Sequence, residues 1–490
     1  SQSNVKSAAN DMPNGVTPKI VDGLQRIVGP ENVLTAQSDR MVYECDGFTI
    51  EKNCPDVIVF PTCTEHVSEI IKLCNREDVI FLPRGAGTSL AGGTLAVGGG
   101  VMLVLTRMKE IEEINLRDRY AVVQPGVVNI WLTRALAGTG YHYAPDPSSQ
   151  GACTIGGNVA TNSGGPHTLK YGVTVNHVLG VEAVTADGTV IMVGGPSGEP
   201  TGPDLVGAMV GSEGTLAVVT RVWVRLTRNP EGKRTMLAVF ESVDDATRVI
   251  SAIIGEGIIP AALEMMDQGI LVALEKAFKF GFPLDAEAIL LIEVDGIEAG
   301  LDAQRDQITD ICNRLGAREV RQAADDAERQ KLWKCRKQAF GAIGRIASSL
   351  VTQDGVVPRT QLPFIFSKIQ EISSKYNIRI VNVFHAGDGN IHPVFLFDER
   401  NENEVKAVLE AGGEILQACL DCGGSVTGEH GIGVEKVGFM NKMFTDGDIE
   451  MMTRLRITFN PDGRLSPHKM LPVAGACGVE RIKPSRTVAM

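Results

Sequence analysis

Three runs of small residues, each set against strand-like patterns, constrain this chain more than any other feature. The first, Pro83-Arg84-Gly85-Ala86-Gly87-Thr88-Ser89-Leu90-Ala91-Gly92-Gly93, follows the apolar segment Val79-Ile80-Phe81-Leu82. The second runs from Asp146 to Gly165 and holds Pro147, Ser148, Thr154, Gly156, Gly157, Asn158, Thr161, Asn162 and Gly164. The third is Gly211-Ser212-Glu213-Gly214-Thr215-Leu216. Glycine lets a backbone approach a ligand closely and lets several N–H groups converge on phosphate oxygens. The first run does not open a helix as a Rossmann GxGxxG does, and it lacks the Gly-Lys-Ser/Thr of a Walker loop. Alone it could be a surface turn. Three such loops in one domain can enclose a large, flat, phosphate-bearing cofactor.

With 490 residues the chain is long for one core, so roughly two or three domains are expected. Its formal charge of −12, with no basic stripe, argues against nucleic-acid binding. The ten cysteines are scattered, which favours a reducing compartment. The one CxxC, Cys419 to Cys422, ends a helical pattern (Val405, Val408, Leu409, Ile415, Leu416) and is read as structural. Without a CxxCxxC run, the chain is not expected to hold its own iron–sulfur cluster. No apolar run reaches the roughly 18 residues of a membrane span. Ser1–Gly15 lacks the apolar core of a signal peptide and reads as a disordered lead.

Periodicity predicts a short helical lead over 18–50, strands at 57–60, 79–82, 101–105 and 120–123, and a helix capped by Thr64. A helix is expected over 127–137, and 146–165 reads as loop. Strands at 178–184 and 190–193 join through Ala186-Asp187-Gly188, and 216–226 reads as one long strand. Composition shifts at Asn229-Pro230-Glu231-Gly232. Beyond it, strands near 236–240, 262–266, 289–294, 379–384 and 393–397 alternate with helices at 243–255, 268–278, 298–315 and a long one at 325–347. This is an α+β pattern with antiparallel sheet. Helices near 402–421 and 446–456 follow, then a polar tail over 471–490.

Val383-Phe384-His385-Ala386-Gly387-Asp388-Gly389-Asn390-Ile391-His392 and Gly428-Glu429-His430-Gly431 hold three of the eight histidines among glycines and small polar residues. A turn between His385 and His392 would let both imidazoles face one divalent ion, with Glu429 adding an oxygen; two N and one O suit Zn, Mn or Fe(II). His430 would then be free as a base. Equally, the two histidines could hydrogen-bond within a turn, and Glu429-His430 could cap a helix. Asn382 and Asn390 could orient ligands or serve turns. His66, His142, His167, His177 and His468 are read as surface or structural.

Taken together, the RGAGTS loop at 84–89, PDPSS at 145–149, TIGGNVATNSGG at 154–165 and GSEGTL at 211–216 resemble the FAD-binding fold of the vanillyl-alcohol-oxidase type. HAGDGNIHP at 385–393 and GEHGIG at 428–433 narrow the resemblance to the glycolate oxidase flavoprotein subunit and its D-lactate and D-2-hydroxyglutarate dehydrogenase relatives, over residues 40–470. The resemblance implies an N-terminal lead and helical segment (1–50) and a two-lobed FAD-binding domain (51–229). It also implies an antiparallel-sheet α+β substrate, or cap, domain bearing the metal site (230–435) and C-terminal helices packing back on the FAD domain (436–490). Residues 83–89 would hold the FAD pyrophosphate, and 145–165 with 211–216 would line the rest. Relatives that bond flavin covalently carry a His where this chain has Thr88-Ser89, so noncovalent FAD is expected.

By the same resemblance His385, His392 and Glu429 are metal ligands, His430 is the base, and Arg336 in Trp333-Lys334-Cys335-Arg336 anchors the substrate carboxylate. Phe340 and Val394 stand where 2-hydroxyglutarate enzymes are polar, which favours glycolate or D-lactate. The expected activity is oxidation of such an acid to the 2-oxo acid. The alternatives are a D-2-hydroxyglutarate dehydrogenase or a non-catalytic FAD-binding subunit. Electrons would pass to an iron–sulfur subunit, an electron-transferring flavoprotein, a quinone or oxygen. The location would be cytoplasmic, peripheral to a membrane through partner subunits.

Overall fold

Val67, Ile70, Ile71 and Cys74 recur at three- and four-residue spacing, and all four are fully buried on one face of helix Thr64–Arg76. Thr64 does not cap this helix. Cys63 occupies the cap position, and Thr64 Oγ1 instead donates to Glu182 at 2.6 Å, pinning the helix to a neighbouring strand. The computed structural model describes residues 15–198 and 201–472, so the expected lead before residue 15 and the tail beyond 472 lie outside the described residues.

Helices Pro18–Val28 and Thr64–Arg76 cover a four-stranded sheet in the order Val33–Leu34, Val57–Val59, Val101–Val104, Phe81–Arg84. The last three strands run parallel, whereas Val33–Leu34, inside the expected helical lead, pairs antiparallel. Phe81–Arg84 starts two residues later than its apolar run suggests. It sits at the sheet's edge, where Pro83 interrupts no ladder. A second sheet is antiparallel, in the order Ile111–Asn115, Tyr120–Val123, Ala217–Arg225, Val178–Thr185, Val190–Gly194. Its last hairpin turns at Gly188, whose φ of 88° is open to glycine.

The stretch read as loop from 146 to 165 contains a helix, Ile155–Thr161. Thr154 caps it, its Oγ1 accepting from Gly157 N at 3.2 Å, while Ile155 and Val159 are fully buried beneath it. The cap and two anchors outweigh the poor helix propensity of Gly156 and Gly157.

The third sheet has seven antiparallel strands, in the order Glu319–Gln322, Gly232–Phe240, Ala288–Gly296, Ala262–Asp267, Arg379–Phe384, Pro393–Phe397, Ser349–Thr352. Its central strands are apolar on both faces. Met236, Ala238 and Phe240 enter one core, and Leu237 and Val239 enter another. Helices Val243–Gly255, Leu301–Arg314, Leu362–Tyr376 and Glu402–Asp421 pack on the first face; Gln268–Phe278 and Asp326–Lys337 pack on the second. The helix expected over 325–347 is two helices, Asp326–Lys337 and Ala339–Ile343. Gln338 leaves helical geometry between them (φ −92°, ψ 0°). The edge strands Glu319–Gln322 and Ser349–Thr352 were not expected; the first is largely exposed and carries no apolar alternation.

The chain then returns to where it began. Leu465 bridges Phe81, with Phe81 N on Arg464 O at 3.0 Å and Ser466 N on Phe81 O at 2.9 Å. Among the described residues no helix is long and apolar enough to cross a membrane, and the described cysteines are free, Cys419 and Cys422 included.

Candidate active site

Strand Phe81–Arg84 delivers the first glycine loop to the wall of a cavity of about 500 Å³. Of the residues singled out for the cofactor, Pro83, Arg84, Gly85, Ala86, Gly87, Thr88, Ser89, Pro147, Ser148, Thr154, Gly156, Gly157, Asn158, Thr161, Ser212, Glu213 and Gly214 line it. Asn162, Gly164 and Gly211 do not. Asn162, in the left-handed region at φ 53°, ends the helix and accepts from Val175 N. A Cβ at Gly164 would come within 2.9 Å of Glu429 Oε2, and Gly211 N bonds Val159 O. Close packing also explains Gly85, where a Cβ would meet Thr154 Oγ1 at 2.6 Å.

Two charged lining residues act on the protein itself. Arg84 Nη1 donates to the carbonyls of Tyr43 and Cys45 and to Thr94 Oγ1, so it braces the loop from beneath. The carboxylate of Glu213 accepts from Ile432 N at 2.6 Å and Gly433 N at 2.7 Å, joining the third glycine loop to the segment after His430.

The same cavity is also lined by His385, His392, Glu429 and His430. His385 follows strand Arg379–Phe384 directly. The tight turn through Gly389, whose Cβ would lie 2.0 Å from Val357 O, brings His392 back beside it. Glu429 Oε1 lies 3.2 Å from His385 Nε2 and 3.1 Å from His392 Nε2, and their ligating atoms fall within 4.8 Å of one another. His392 Nε2 is buried and has no aligned hydrogen-bond partner. His430 stacks on His392 with centroids 4.9 Å apart, and its buried Nδ1 is also unpartnered. Burial holds His430 neutral, pushing its pKa down to about 4.

Two acids that the sequence did not single out organise this cluster. Glu264, fully buried on strand Ala262–Asp267, lies 2.9 Å from His385 Nδ1 and 2.6 Å from Arg336 Nε. Burial would raise its pKa, but His385 and Arg336 outweigh that and hold it low. In turn burial disfavours the charged form of His385, yet Glu264 and Glu429 keep its pKa well above the usual range. Asp354 Oδ2 accepts from Thr427 Oγ1 and from the backbone N–H groups of Gly428, Glu429 and His430 at 2.9–3.2 Å, and Lys436 Nζ lies 3.6 Å away. That carboxylate, held well below its usual range, fixes the loop that presents Glu429 and His430. Asn390 bonds Asp354, and Asn382 bonds Asp267; neither faces the cavity.

Arg336 is not on the cavity wall. It is 1% exposed, and its guanidinium pairs with Glu264 while Nη2 lies 3.4 Å from His385 Nδ1. Phe340 does line the cavity, with Leu350, Thr352 and Lys337; Val394 is buried in the sheet core instead. His142 bonds Asn229, His177 bonds Tyr171 O, and His66 lies near Thr62; none of these, nor His468, lines the cavity.

Comparison with known proteins shows the family to which the chain belongs. Residues 55–194 match the family "FAD binding domain", and 229–470 match "FAD linked oxidases, C-terminal domain". The chain is 43% identical to glycolate oxidase subunit GlcD of Escherichia coli over 466 residues, 95% of this chain and 93% of that one. It is 39% identical to glycolate oxidase subunit GlcD of Bacillus subtilis (93% and 97%) and 30% identical to D-lactate dehydrogenase of Anaerostipes hadrus (93% and 98%). In solved structures, p-cresol methylhydroxylase shares the fold at a TM-score of 0.79 and 17% identity, covering 94% of this chain and 98% of that one. The 4-ethylphenol oxidase of Gulosibacter chungangensis does so at 0.77 and 18% (94% and 99%). The fold and the cavity therefore define an FAD-dependent oxidoreductase of the vanillyl-alcohol-oxidase type. Within that class the chain belongs to the FAD-linked oxidase family that includes glycolate oxidase subunit GlcD.

Proposed function

We propose that the protein oxidises a small 2-hydroxy acid, glycolate or D-lactate, to the 2-oxo acid, using noncovalently bound FAD and a divalent ion (Zn, Mn or Fe) at His385, His392 and Glu429. The observation that carries this is one cavity lined both by the glycine loops and by the His/His/Glu/His cluster. Bound FAD supplies the acceptor for a hydride from Cα. A bound ion supplies positive charge that acidifies the substrate hydroxyl. The donor set fits such an ion: two imidazole nitrogens and a carboxylate converge, with Glu264 set behind His385 Nδ1 as an orienting acceptor.

His430, neutral, with an unpartnered ring nitrogen and lining the cavity from the loop held by Asp354, takes the hydroxyl proton. Arg336 is assigned to holding Glu264 and, through it, His385. Phe340 and Leu350 give the wall an apolar surface that a second substrate carboxylate would meet at a desolvation cost, which favours the monocarboxylates over 2-hydroxyglutarate. The intact cluster separates this reading from a non-catalytic FAD-binding subunit. Electrons then leave for a second carrier: an iron–sulfur subunit, an electron-transferring flavoprotein, a quinone or oxygen.

Anaerobic mixing of the metal-loaded holoprotein with glycolate, D-lactate, L-lactate and D-2-hydroxyglutarate tests this, read by flavin absorbance. Bleaching by glycolate or D-lactate, slowed about 10²- to 10⁴-fold in His430→Ala and abolished by chelation, is expected. A yellow protein that none of the acids bleaches would overturn the reading.

A further inference from the structure

We infer that Glu213 couples the flavin and metal sites, so that FAD and the divalent ion each tighten the binding of the other; the inference rests on the cofactor reading proposed above. Every backbone N–H from residue 428 to 433 donates to a side-chain oxygen. Gly428, Glu429 and His430 donate to Asp354 Oδ2 at 2.9–3.2 Å. Gly431 N donates to Thr427 Oγ1 at 3.0 Å, and that hydroxyl donates to Asp354 in turn. Ile432 and Gly433 donate to the two oxygens of Glu213 at 2.6 and 2.7 Å. Val434 N and Glu435 N then donate to Ala91 O, in the first glycine run. Residues 428–431, which carry Glu429 and His430, are thus held by Asp354, just past edge strand Ser349–Thr352 of the seven-stranded sheet. Residues 432–435 are held by the first and third glycine runs.

Glu213 is fixed in this one arrangement. It is 8% exposed, and its backbone lies in the left-handed region at φ 52°, which a residue with a side chain keeps only when its surroundings hold it there. Its own N–H donates to Ala160 O at 2.8 Å, on helix Ile155–Thr161. A Cβ at Gly431 would lie 2.8 Å from Glu213 Oε1, so a side chain there would push the carboxylate off the loop. Ser212, Glu213 and Gly214 line the same cavity as Glu429 and His430. With FAD against this turn, Glu213 is held where it grips Ile432 and Gly433. With an ion between His385, His392 and Glu429, the same loop is held from its other half. Two ligands that favour one arrangement favour each other, and by equal factors. Glu213 is in this sense a positioning residue for Glu429 and His430.

The test is a dilution series of the holoprotein, loaded with Zn(II) or Mn(II) or stripped by a chelator, with release of FAD read by the recovery of flavin fluorescence. In wild type the ion is expected to lower the apparent Kd for FAD about 5- to 150-fold. In Glu213→Gly, which accepts the positive φ and removes the carboxylate, the two Kd values should agree within about twofold. Glu213→Gln keeps one acceptor oxygen and should retain part of the effect. A direct contact between Glu213 and FAD, or a merely disturbed fold, would weaken both Kd values alike and leave their ratio as in wild type; that result overturns the inference. So does a wild-type Kd indifferent to the ion. A wild-type holoprotein that retains neither Zn(II) nor Mn(II) on equilibrium dialysis fails at the metal reading itself, and the inference falls with it; the metal content tells this outcome from the others.

Discussion

Glu264 stands behind His385 with both oxygens 2.9 Å from Nδ1, which leaves Nε2 directed at Glu429. An orienting carboxylate of this kind fixes the tautomer and raises the basicity of the ligand. Glu264→Gln is therefore expected to weaken metal binding about 10- to 100-fold while FAD content is kept. Equilibrium titration of the metal-stripped protein measures this, and an unchanged affinity would dismiss the orienting role. His385, His392, Glu429 and His430 were legible as candidates because reactive side chains between glycines are poor core residues. Glu264 and Asp354 were not. Each looks like an ordinary acid in its own segment and gains its role from partners 121 and 76 residues away. Arg336 was expected at the substrate carboxylate; its burial was not legible, because it depends on Glu264 in the strand beneath its helix, 72 residues away.

The elements were easiest to read where one face alone is buried and hardest where composition and context disagree. Strand and helix patterns over 216–226, 243–255 and 268–278 matched closely because apolar period and burial coincide. Helix Ile155–Thr161 escaped notice because its sequence is that of a loop, and only the Thr154 cap and the buried Ile155 and Val159 decide otherwise. Thr154→Ala should then cost about 1 kcal/mol of stability, with Thr154→Ser restoring it. Because this helix lines the cavity, FAD retention should fall in the same order. Thermal unfolding and flavin content of the three proteins, measured side by side, check both; equal values would mean the cap is idle. The break at Gln338 was hidden for the opposite reason, since Arg336, Lys337 and Ala339 on either side are good helix formers.

At the scale of the molecule, a charged seam joins the segment around 146–171 to the seven-stranded sheet. His167 lies 2.7 Å from Asp146, 3.6 Å from Glu293, and stacks on Trp333 at 5.1 Å. Lys233 and Arg329 face the same Glu293, and Lys170 and Tyr171 bond Asp295. Burial alone would lower the pKa of His167, but Asp146 and Glu293 prevail and raise it to about 10. A raised folded pKa means that this contribution to stability is complete below about pH 6.5, the unfolded value, and is lost as pH climbs through 10. Wild type should accordingly lose more Tm than His167→Gln between pH 6 and 10; parallel curves would show that the seam does not titrate.

Residues 464–470 hold a strand and loops whose residues line the cavity, among them the first glycine loop. Ser466 N caps Phe81 O, Lys469 Nζ reaches Gly93 O at 2.7 Å, and Met470 N reaches Gly433 O. A ribosome must therefore pass residue 470 before the first glycine loop has its support. Uptake of flavin is accordingly expected to follow the docking of residues 464–470, and a chain cut before residue 464 should purify with less bound FAD than the full chain.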